Sequence, residues 1–556
     1  MDTTISSKST WRGERGELWL LGAAMLVFGL IALTLEISAE EDAFIYYRYA
    51  WNWAHGRGLV FNPGDPVEGF SGPIWMAVLA LAARAGLDLP RTAPVLGILC
   101  GAATLIATWF LARTAGLSRS GRLAAVAGLA LSYPFIVWSR SGLETPFYSL
   151  AIVIAAGAYL AAEYPLREGP GTRRWVAAVA LVLVSLGRPE GLLLTALVIA
   201  DRLTDRWDVL GALRYAGPTA IGYGSYLLWR LHTFKSLAPN TSVKLYPLLV
   251  DRSASQLLGY ILFLGVLPLA LPLLALLDLR DRPRQERRRL GFLFLAVCLL
   301  SFFFNFAAGG DYRPGFRYLV PTLPLLLVAV WYAAERLGAG GGRAAFLTSP
   351  WARACLFALL LAGSVFLLRQ NPPRIHGWRE RVFQSWRDPY SETWHWGIQI
   401  AGWIDAHVPQ NGIVAFGQMG RVPYYLARKG HEVTFIDTLG LVDRPIARVY
   451  RFDRKLADLL QDVRGGMPLA QALEKGRRER ANRVAESILA RRPDFILIET
   501  ALDDYQMMRA LRENPGFQAA YREIDALPHG GPPYVRIYAR VTASSSARRR
   551  SSSHPL

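Results

Sequence analysis

Three carboxylates in succession open an unusually polar stretch of the chain, the segment 40–75. They are Glu40, Glu41 and Asp42, and the rest of the segment interleaves aromatic residues with arginine, asparagine and further acids. A carboxylate in such a place can take a proton from a hydroxyl group or hold a divalent cation. A loop that only connects two helices needs no such concentration of ionisable and aromatic groups. The segment therefore contains the first candidates for a catalytic base.

Further charged residues lie later in the same segment, as Arg48 and Glu68 do, or stand where other apolar stretches end. The acids among them are Glu68, Glu144 and Asp311, and the cations are Arg48, Arg140, Lys244, Arg313 and Arg317. Arginine is well suited to phosphate because its planar guanidinium offers two parallel N–H groups. A carboxylate base beside phosphate-binding cations fits glycosyl transfer from a lipid-phosphate sugar. The base deprotonates the acceptor hydroxyl, and the cations stabilise the departing phosphate.

Composition indicates that a membrane positions these residues. Of 556 residues 52% are hydrophobic, 17 are tryptophan, and the mean hydropathy is +0.22. The formal charge of +19 does not indicate nucleic-acid binding, because much of the arginine lies in short loops between apolar runs, where it acts as a topology signal. Three cysteines, Cys100, Cys298 and Cys355, lie inside apolar runs and predict neither a disulfide framework nor a metal cluster.

The apolar runs predict about eleven membrane spans. The first, 18–37, is longer than the apolar core of a signal peptide, so we expect a retained anchor after a cytoplasmic tail, 1–17. The other predicted spans are 92–113, 122–139, 145–163, 174–187, 190–203, 213–231, 255–278, 289–307, 317–337 and 353–369. The run 74–86 is too short to cross, so the whole segment 38–91 is predicted to be an outer loop.

Charge placement orients these spans. The segment 280–289 contains six arginines and is predicted to face the cytoplasm. With an odd number of spans and a cytoplasmic N-terminus, the C-terminal part lies outside. All the candidate site residues then lie at span ends on the outer side. Charged groups at such a depth are costly and are usually functional or paired.

The composition changes in the last third of the chain, where long apolar runs give way to short strand and helix patterns. This change predicts a small α/β domain, 370–543. The segments 412–420, 432–440, 493–499 and 534–540 are typical of short strands, and 452–462 and 479–491 are typical of helices. GQMG at 417–420 is predicted to be a turn. Asp437 and Asp443 stand close to the end of a predicted strand and suit either a site or a turn. The serine- and arginine-rich tail 544–556 is predicted to be disordered.

Several ordered motifs resemble enzymes of the glycosyltransferase C superfamily, most of all the mycobacterial terminal arabinofuranosyltransferases. The motifs are DAFIYYRYAWNWAHGRGLVFNPGDPVEGFSGPIW (42–75), SGLETPFYSL (141–150), RPEG (188–191), PNTSVK (239–244), GGDYRPGFRYLVP (309–321) and IDTLGLVD (436–443). The resemblance implies a polytopic α-helical membrane protein of about eleven spans with a periplasmic C-terminal α/β domain. It also implies a polyprenyl-phosphate sugar donor and inverting transfer, with an acid of the first outer loop as base.

Carried over by position, the resemblance implies that this base is Asp42, with Glu41 second, although the chain has Glu-Asp where two aspartates are expected. We expect Arg48, Arg140, Lys244, Arg313 and Arg317 to bind the donor phosphate, and Tyr49, Asn52, Glu68, Glu144, Asn240 and Asp311 to contact substrate. Structural alternatives remain: Asp42 can cap a helix, and Glu144 can pair with Arg140. Arg188-Pro189-Glu190 is predicted to be a break between two half-helices.

The sequence thus predicts an inverting glycosyltransferase on the outer face of a bacterial inner membrane. The acceptor would be a cell-envelope glycan, lipid or protein, and arabinofuranose is one candidate sugar. The alternative is a lipid-linked sugar flippase or solute transporter, against which the chain shows no paired inverted repeats. We expect membrane lipids as partners, no nucleic acid and no required metal, with Mg²⁺ or Mn²⁺ as the alternative. We expect the C-terminal domain to help bind the acceptor.

Overall fold

A computed structural model describes most of the chain. The described residues are 3–34, 40–166, 174–205, 207–244, 258–259, 261–263, 266–278, 284–307, 316–339, 342–370, 395–451, 456–499, 507–528 and 533–541. Three predicted site residues are affected: Asp311 and Arg313 lie outside these ranges, and of Lys244 only the backbone is described. The predicted disordered tail also lies outside them.

Helices make up the first two thirds of the chain. They are α1 (Thr3–Thr34), α2 (Glu41–Ala54), α3 (Pro73–Arg84), α4 (Leu89–Ala115), α5 (Arg119–Ala130), α6 (Tyr133–Arg140), α7 (Thr145–Glu163), α8 (Arg174–Gly187), α9 (Leu192–Thr204), α10 (Val209–Phe234), α11 (Val266–Asp278), α12 (Arg284–Ala307), α13 (Leu323–Ala339) and α14 (Pro350–Gln370). Short 3₁₀ turns occur at Pro189–Gly191, Asn240–Lys244, Val320–Thr322 and Gly342–Thr348, and α12 contains a π-helical stretch, Cys298–Phe303. The result is a polytopic helical membrane-protein fold.

Within the described ranges, five helices are long and apolar enough to cross a membrane, or six when one bent pair is counted as a span. The total of eleven spans therefore stays a prediction. The bent pair is α5 and α6, which corrects the continuous span predicted for 122–139. The two helices meet at 55° because Pro134 lies in the first turn of α6. Its ring would clash with the carbonyl group four residues earlier if α5 continued.

Helix α2, at the start of the first loop, is a core element. Ten of its 14 residues are buried, among them the aromatic residues Phe44, Tyr46, Tyr47 and Tyr49. The turn after α6 packs against it: Gly142 has φ +79°, and a Cβ there would lie 2.1 Å from the Tyr47 hydroxyl. The Glu40 amide donates to the carbonyl of Ser141 over 2.9 Å. Two separate segments of sequence are thereby brought together at the N-terminus of α2.

A mixed α/β domain follows. Its helices are α15 (His395–His407), α16 (Arg421–Arg428), α17 (Arg444–Arg451), α18 (Leu456–Arg464), α19 (Leu469–Ala490), α20 (Met507–Glu513) and α21 (Pro515–Ala520), and its strands are β1 (Gly412–Phe416), β2 (Val433–Asp437), β3 (Phe495–Glu499), β4 (Tyr521–Pro528) and β5 (Pro533–Arg540). The sheet has the order β2-β1-β3-β5-β4, parallel from β2 to β3 and antiparallel beyond.

Strand β4 was not predicted from the sequence. It lies at the edge of the sheet, and most of its side chains are exposed, so its sequence lacks the apolar alternation that marks a half-buried strand. The opposite edge strand, β2, is covered by the first loop. The side-chain amide of Asn62 donates to the Phe435 carbonyl (2.8 Å) and accepts from the Phe435 amide (3.1 Å), as a neighbouring strand would.

Candidate active site

A cavity of about 270 Å³ lies where the first loop, the membrane helices and the C-terminal domain meet. Charged side chains dominate the polar part of its lining: the carboxylates Asp42, Glu144 and Glu190 and the guanidinium groups Arg188, Arg230 and Arg317. Aromatic rings form much of the remaining wall: Tyr46, Phe70, Tyr223, Phe304 and Tyr318. Leu441 is contributed by the C-terminal domain. The volume lies near the lower end of the range for small-molecule sites, about 300–1,000 Å³.

Asp42 is the most accessible of the three carboxylates. Its side chain retains 17% exposure, against 5% for both Glu144 and Glu190. One oxygen lies 3.4 Å from the Nη1 atom of Arg317. The Arg317 guanidinium lies over the rings of Trp138, at 5.7 Å, and Tyr318, at 5.2 Å. Asp42 also occupies the first turn of α2, so its carboxylate lies beside both a cation and the N-terminal end of a helix.

Arg188 binds two carboxylates at once. Its Nη1 atom donates to Glu144 over 3.1 Å, and its Nε atom donates to Glu190. The second oxygen of Glu144, Oε2, is buried and has no hydrogen-bond partner among the described residues. Such an oxygen is costly to leave unpaired. In the lining of a cavity it is a natural acceptor for a ligand hydroxyl group.

A third ion pair has one member in the cavity lining and the other member behind it. Glu68 and Arg230 lie 2.7 Å apart, and both side chains are only 1% exposed. The Tyr226 hydroxyl donates to Glu68 and accepts from Arg230. Burial raises the pKa of Glu68, while Arg230 opposes that shift. Arg230 lines the cavity and Glu68 does not, so the carboxylate holds the guanidinium in place.

The structure places three predicted site residues away from the cavity lining. Arg48 is 2% exposed, and it donates to the carbonyl groups of Phe61 (2.9 Å) and Pro423 (2.6 Å). Tyr49 donates to Val67, and Asn52 donates to Val60 and Phe61. These side chains satisfy backbone carbonyls of the folded loop and, for Arg48, of the C-terminal domain. The phosphate role predicted for Arg48 is therefore corrected to a structural one.

Glu41, Asn240 and Arg140 also lie outside the lining. Glu41 accepts hydrogen bonds from backbone amides of the C-terminal domain, and Asn240 donates to the carbonyl groups of Gly440 (2.6 Å) and Asp443 (3.2 Å). Arg140 is 2% exposed and donates to Ala32 over 3.5 Å. The alternative pairing of Glu144 with Arg140 is also wrong, because Glu144 pairs with Arg188. Of the predicted residues whose side chains are described, Asp42, Glu144 and Arg317 remain at the cavity.

Arg230 was not predicted as a site residue, and Arg188 and Glu190 were predicted only to flank a helix break. The tripeptide 188–190 does break two half-helices, as predicted, but the break points both charged side chains at the cavity. The signal for Arg230 was present, since it stands near the end of a predicted span, where an unpaired arginine is costly.

Asp437 and Asp443 are turn residues. Asp437 accepts from the amides of Leu439 (2.8 Å) and Val442 (2.9 Å), and Asp443 accepts from Ile446. Burial raises the pKa of Asp437 to about 7, although its amide donors act in the opposite direction. The turn fixed in this way carries Leu441 into the cavity wall.

The described residues contain no group of three or more His, Cys, Asp or Glu side chains arranged to hold a metal ion. Each carboxylate in the lining is engaged by a guanidinium group instead. Positive charge is thus already present where a divalent cation would otherwise supply it.

Two kinds of similarity to known proteins are found, one in sequence and one in three-dimensional structure. A family model described as "Domain of unknown function (DUF8728)" matches residues 384–538, and no curated protein sequence matches the chain. Among solved structures, ArnT from Cupriavidus metallidurans bound to undecaprenyl phosphate is 15% identical, with a TM-score of 0.51 over 95% of this chain and 98% of that one. The Archaeoglobus fulgidus oligosaccharyltransferase tethered to an acceptor peptide is 11% identical, with a TM-score of 0.52 over 96% and 75%.

The archaeal enzyme AglB from Archaeoglobus fulgidus, in complex with an inhibitory peptide and a dolichol-phosphate, is 10% identical, with a TM-score of 0.51 over 96% of this chain and 75% of that one. At these identities the likeness is one of fold. The alignments extend over nearly the whole chain, so they include both the membrane helices and the C-terminal domain. The chain therefore shares the overall fold of these solved structures, in agreement with the fold that the resemblance of its motifs implies.

Proposed function

We propose that the chain is an inverting membrane glycosyltransferase that takes its sugar from a polyprenyl-phosphate donor. The observation that carries this proposal is the cavity in which Asp42, half-buried and paired with Arg317, faces the same space as Arg188 and Arg230. A base and several cations in one cavity are what displacement of a phosphate by a hydroxyl group requires. The neighbours bound to undecaprenyl phosphate and to dolichol-phosphate support this donor class.

Asp42 acts as general base in this reaction. Its carboxylate accepts the proton of the acceptor hydroxyl while the hydroxyl oxygen attacks the anomeric carbon. The bond from that carbon to the phosphate oxygen breaks, and the polyprenyl phosphate leaves with the electron pair. Because attack and departure occur on opposite faces of the sugar, the configuration inverts. Arg317 keeps Asp42 ionised before the reaction, and Arg230 and Arg317 stabilise the charge of the leaving phosphate.

Glu144 and Glu190 contact the sugar in this proposal. The buried Oε2 atom of Glu144 has room for a hydrogen bond from a sugar hydroxyl, and Arg188 holds both carboxylates in position. The three acids and three arginines in the lining balance in charge, which favours an uncharged sugar. A pentose such as arabinofuranose and a neutral hexose both satisfy this chemistry.

The decisive test is Asp42→Asn in the purified protein reconstituted in nanodiscs. The probes are farnesyl-phosphate esters of arabinofuranose, mannose and glucose, with octyl glycosides as acceptors. We expect transfer to fall by about 10³-fold, which lies within the contribution of about 10²–10⁴-fold that is typical of a general base. Binding of undecaprenyl phosphate, measured by native mass spectrometry, stays unchanged. Full activity of the variant would overturn the assignment.

Two further arms of the experiment address the alternatives. We propose that transfer needs no metal, so activity persists in EDTA; loss in EDTA that one added cation restores would show a metal requirement. A wild-type protein that moves lipid-linked sugar across liposomes without transferring it would support the flippase alternative instead.

We also propose that the cavity faces the outer side of the inner membrane. The strongly exposed Trp175 and Trp351 stand within two residues of Arg174 and Arg353. Exposed tryptophan beside arginine is typical of the cytoplasmic membrane interface. The cavity lies at the opposite end of α8, where Arg188 follows the helix, and it is lined in part by Leu441 of the C-terminal domain. That domain would then meet a cell-envelope glycan, lipid or protein acceptor.

A further inference from the structure

We propose that Glu41 is a positioning residue that ties the C-terminal domain to α2 and thereby holds Asp42 in its working position. The inference rests on the proposed function, since it assigns to Asp42 the role of base. Glu41 precedes Asp42 directly and occupies the first turn of the same helix. It does not line the cavity, so its effect on the reaction has to pass through the position of α2.

The contact joins the starts of two helices. The Oε1 atom of Glu41 accepts from the backbone amides of Gly420 (2.8 Å) and Arg421 (2.9 Å), which stand at the N-terminus of α16. The first amides of a helix have no hydrogen-bond acceptor within that helix. The Glu41 carboxylate therefore supplies an acceptor for two such amides. Glu41 is 6% exposed and Arg421 is 7% exposed, which shields the contact from water and strengthens it.

Glycine at position 420 makes this approach possible. A Cβ atom there would lie 2.1 Å from the Glu41 carbonyl oxygen and 2.5 Å from its Oε1 atom. Any other residue would push α2 and α16 apart. Gly420, the last residue of the predicted turn 417–420, is therefore the point at which the first turn of α2 meets the C-terminal domain.

The rest of α2 has two faces that match this arrangement. Asp42, Ile45 and Tyr46 line the cavity, at the spacing of one helix face. The face toward the C-terminal domain contacts Tyr424 of α16 through three rings: Phe44 at 5.8 Å, Tyr47 at 5.9 Å and Trp51 at 6.3 Å between centroids. The C-terminal domain thus supports α2 from behind along about three turns, and Glu41 fixes the end that carries the base.

A small shift of that end is enough to impair catalysis. Displacement of a catalytic group by about 1 Å can lower a rate by about 10²-fold. We therefore expect Glu41→Ala and Gly420→Ala to lower kcat by about 10- to 100-fold, with the KM for the donor changed less than about threefold. Glu41→Gln keeps an oxygen at the position of Oε1 and retains at least about a third of kcat.

Asp88→Ala is the matched control. Asp88 pairs with Arg428 over 2.6 Å, so it also joins the membrane part to α16, but at the other end of that helix and on the surface. This variant weakens docking of the same domain without touching the first turn of α2. We expect its kcat to stay within about twofold of the wild type.

The experiment measures kcat and KM with the farnesyl-phosphate sugar that the wild type uses, and hydrogen exchange at the Gly420 and Arg421 amides. The two amides exchange faster in Glu41→Ala and stay protected in Glu41→Gln and Asp88→Ala. An unchanged kcat in Glu41→Ala, or an equal loss in Asp88→Ala, overturns the inference. An equal loss in Glu41→Gln and Glu41→Ala also overturns it, because the carboxylate itself would then be chemically required.

The hydrogen-exchange result separates this inference from the proposed function. Should the wild type transfer no sugar at all, the function fails while protection of the two amides still reports the contact. Should Asp42→Asn abolish transfer while Glu41→Ala remains fully active, the function stands and the positioning role fails.

Discussion

The charges of the cavity occur in oppositely charged groups, and each group joins different segments of the chain. Asp42 in the first loop meets Arg317 before α13, and Glu68 in the first loop meets Arg230 of α10. A buried ion pair adds little net stability, because desolvation offsets the attraction. Removal of one partner is different, since the other charge is left unpaired in a medium of low polarity. The pairs therefore specify how the segments meet.

Glu68 and Arg230 allow a direct test of this reasoning. We expect Glu68→Gln to lower the free energy of unfolding by about 3–5 kcal/mol, because Arg230 keeps its charge and loses its partner. The double variant Glu68→Gln/Arg230→Gln should recover part of that loss, so the two changes are not additive. Unfolding in SDS, followed by tryptophan fluorescence, measures the difference.

The surface pair Glu523–Arg536 provides the control for that experiment. Its side chains are 37% and 32% exposed, and Glu523→Gln should change stability by less than about 0.5 kcal/mol. Additive losses in the Glu68 and Arg230 variants would contradict a coupled pair.

The residue types of the site could be predicted from the sequence, but their pairing could not. Asp42, Glu144 and Arg317 were identified because acids and arginines at span ends are rare and costly. Arg48 satisfies the same criterion, yet its guanidinium donates hydrogen bonds to the backbone carbonyl groups of Phe61 and Pro423. Pro423 lies 375 residues later in the chain, and no local pattern reports a contact over such a distance.

At the scale of elements, the helix breaks decide which side chains reach the cavity. The 3₁₀ turn Pro189–Gly191 interrupts the run between α8 and α9 and directs Arg188 and Glu190 into the lining. The break was predicted from the proline and the paired charges, but its direction depends on how tightly the turn packs. Gly191 sets that packing, because a Cβ atom there would lie 2.3 Å from the carbonyl oxygen of Val184.

Gly191→Ala should therefore move the turn and weaken donor binding. We expect the affinity for undecaprenyl phosphate to fall by roughly tenfold, which corresponds to about 1.4 kcal/mol. Gly217→Ala, inside α10, is the control: no atom lies within 4 Å of the added Cβ, and alanine is the better helix former. Native mass spectrometry at a series of lipid concentrations compares the two, and equal affinities would show that the turn does not place the site.

At the scale of the whole molecule, the membrane part and the C-terminal domain each cover surfaces of the other. The C-terminal domain contributes Leu441 to the cavity and covers the outward face of α2, and the first loop covers the edge strand β2. The sequence predicted the presence of both parts, since a change from apolar runs to short alternating strands is visible in composition. It did not predict that they meet at the site, because the helix face formed by Phe44, Tyr47 and Trp51 does not reveal that its partner is Tyr424, and the other contacts are made by loops and by Gly420.

Topology is the prediction that belongs to this scale. The test uses a variant in which all three cysteines, Cys100, Cys298 and Cys355, are replaced by serine. In that variant, Arg284→Cys reports on the arginine-rich segment 280–289, and Lys475→Cys reports on the C-terminal domain. The native side chains at both positions are about half exposed. A membrane-impermeant maleimide applied to intact spheroplasts should label position 475 and should label position 284 only after permeabilisation. The reason is that arginines near span ends are retained on the cytoplasmic side, whereas a domain that handles envelope acceptors lies outside. Labelling of position 475 only after permeabilisation would place the C-terminal domain and Asp42 in the cytoplasm, where neither the donor nor the acceptor proposed for this cavity could be used as described.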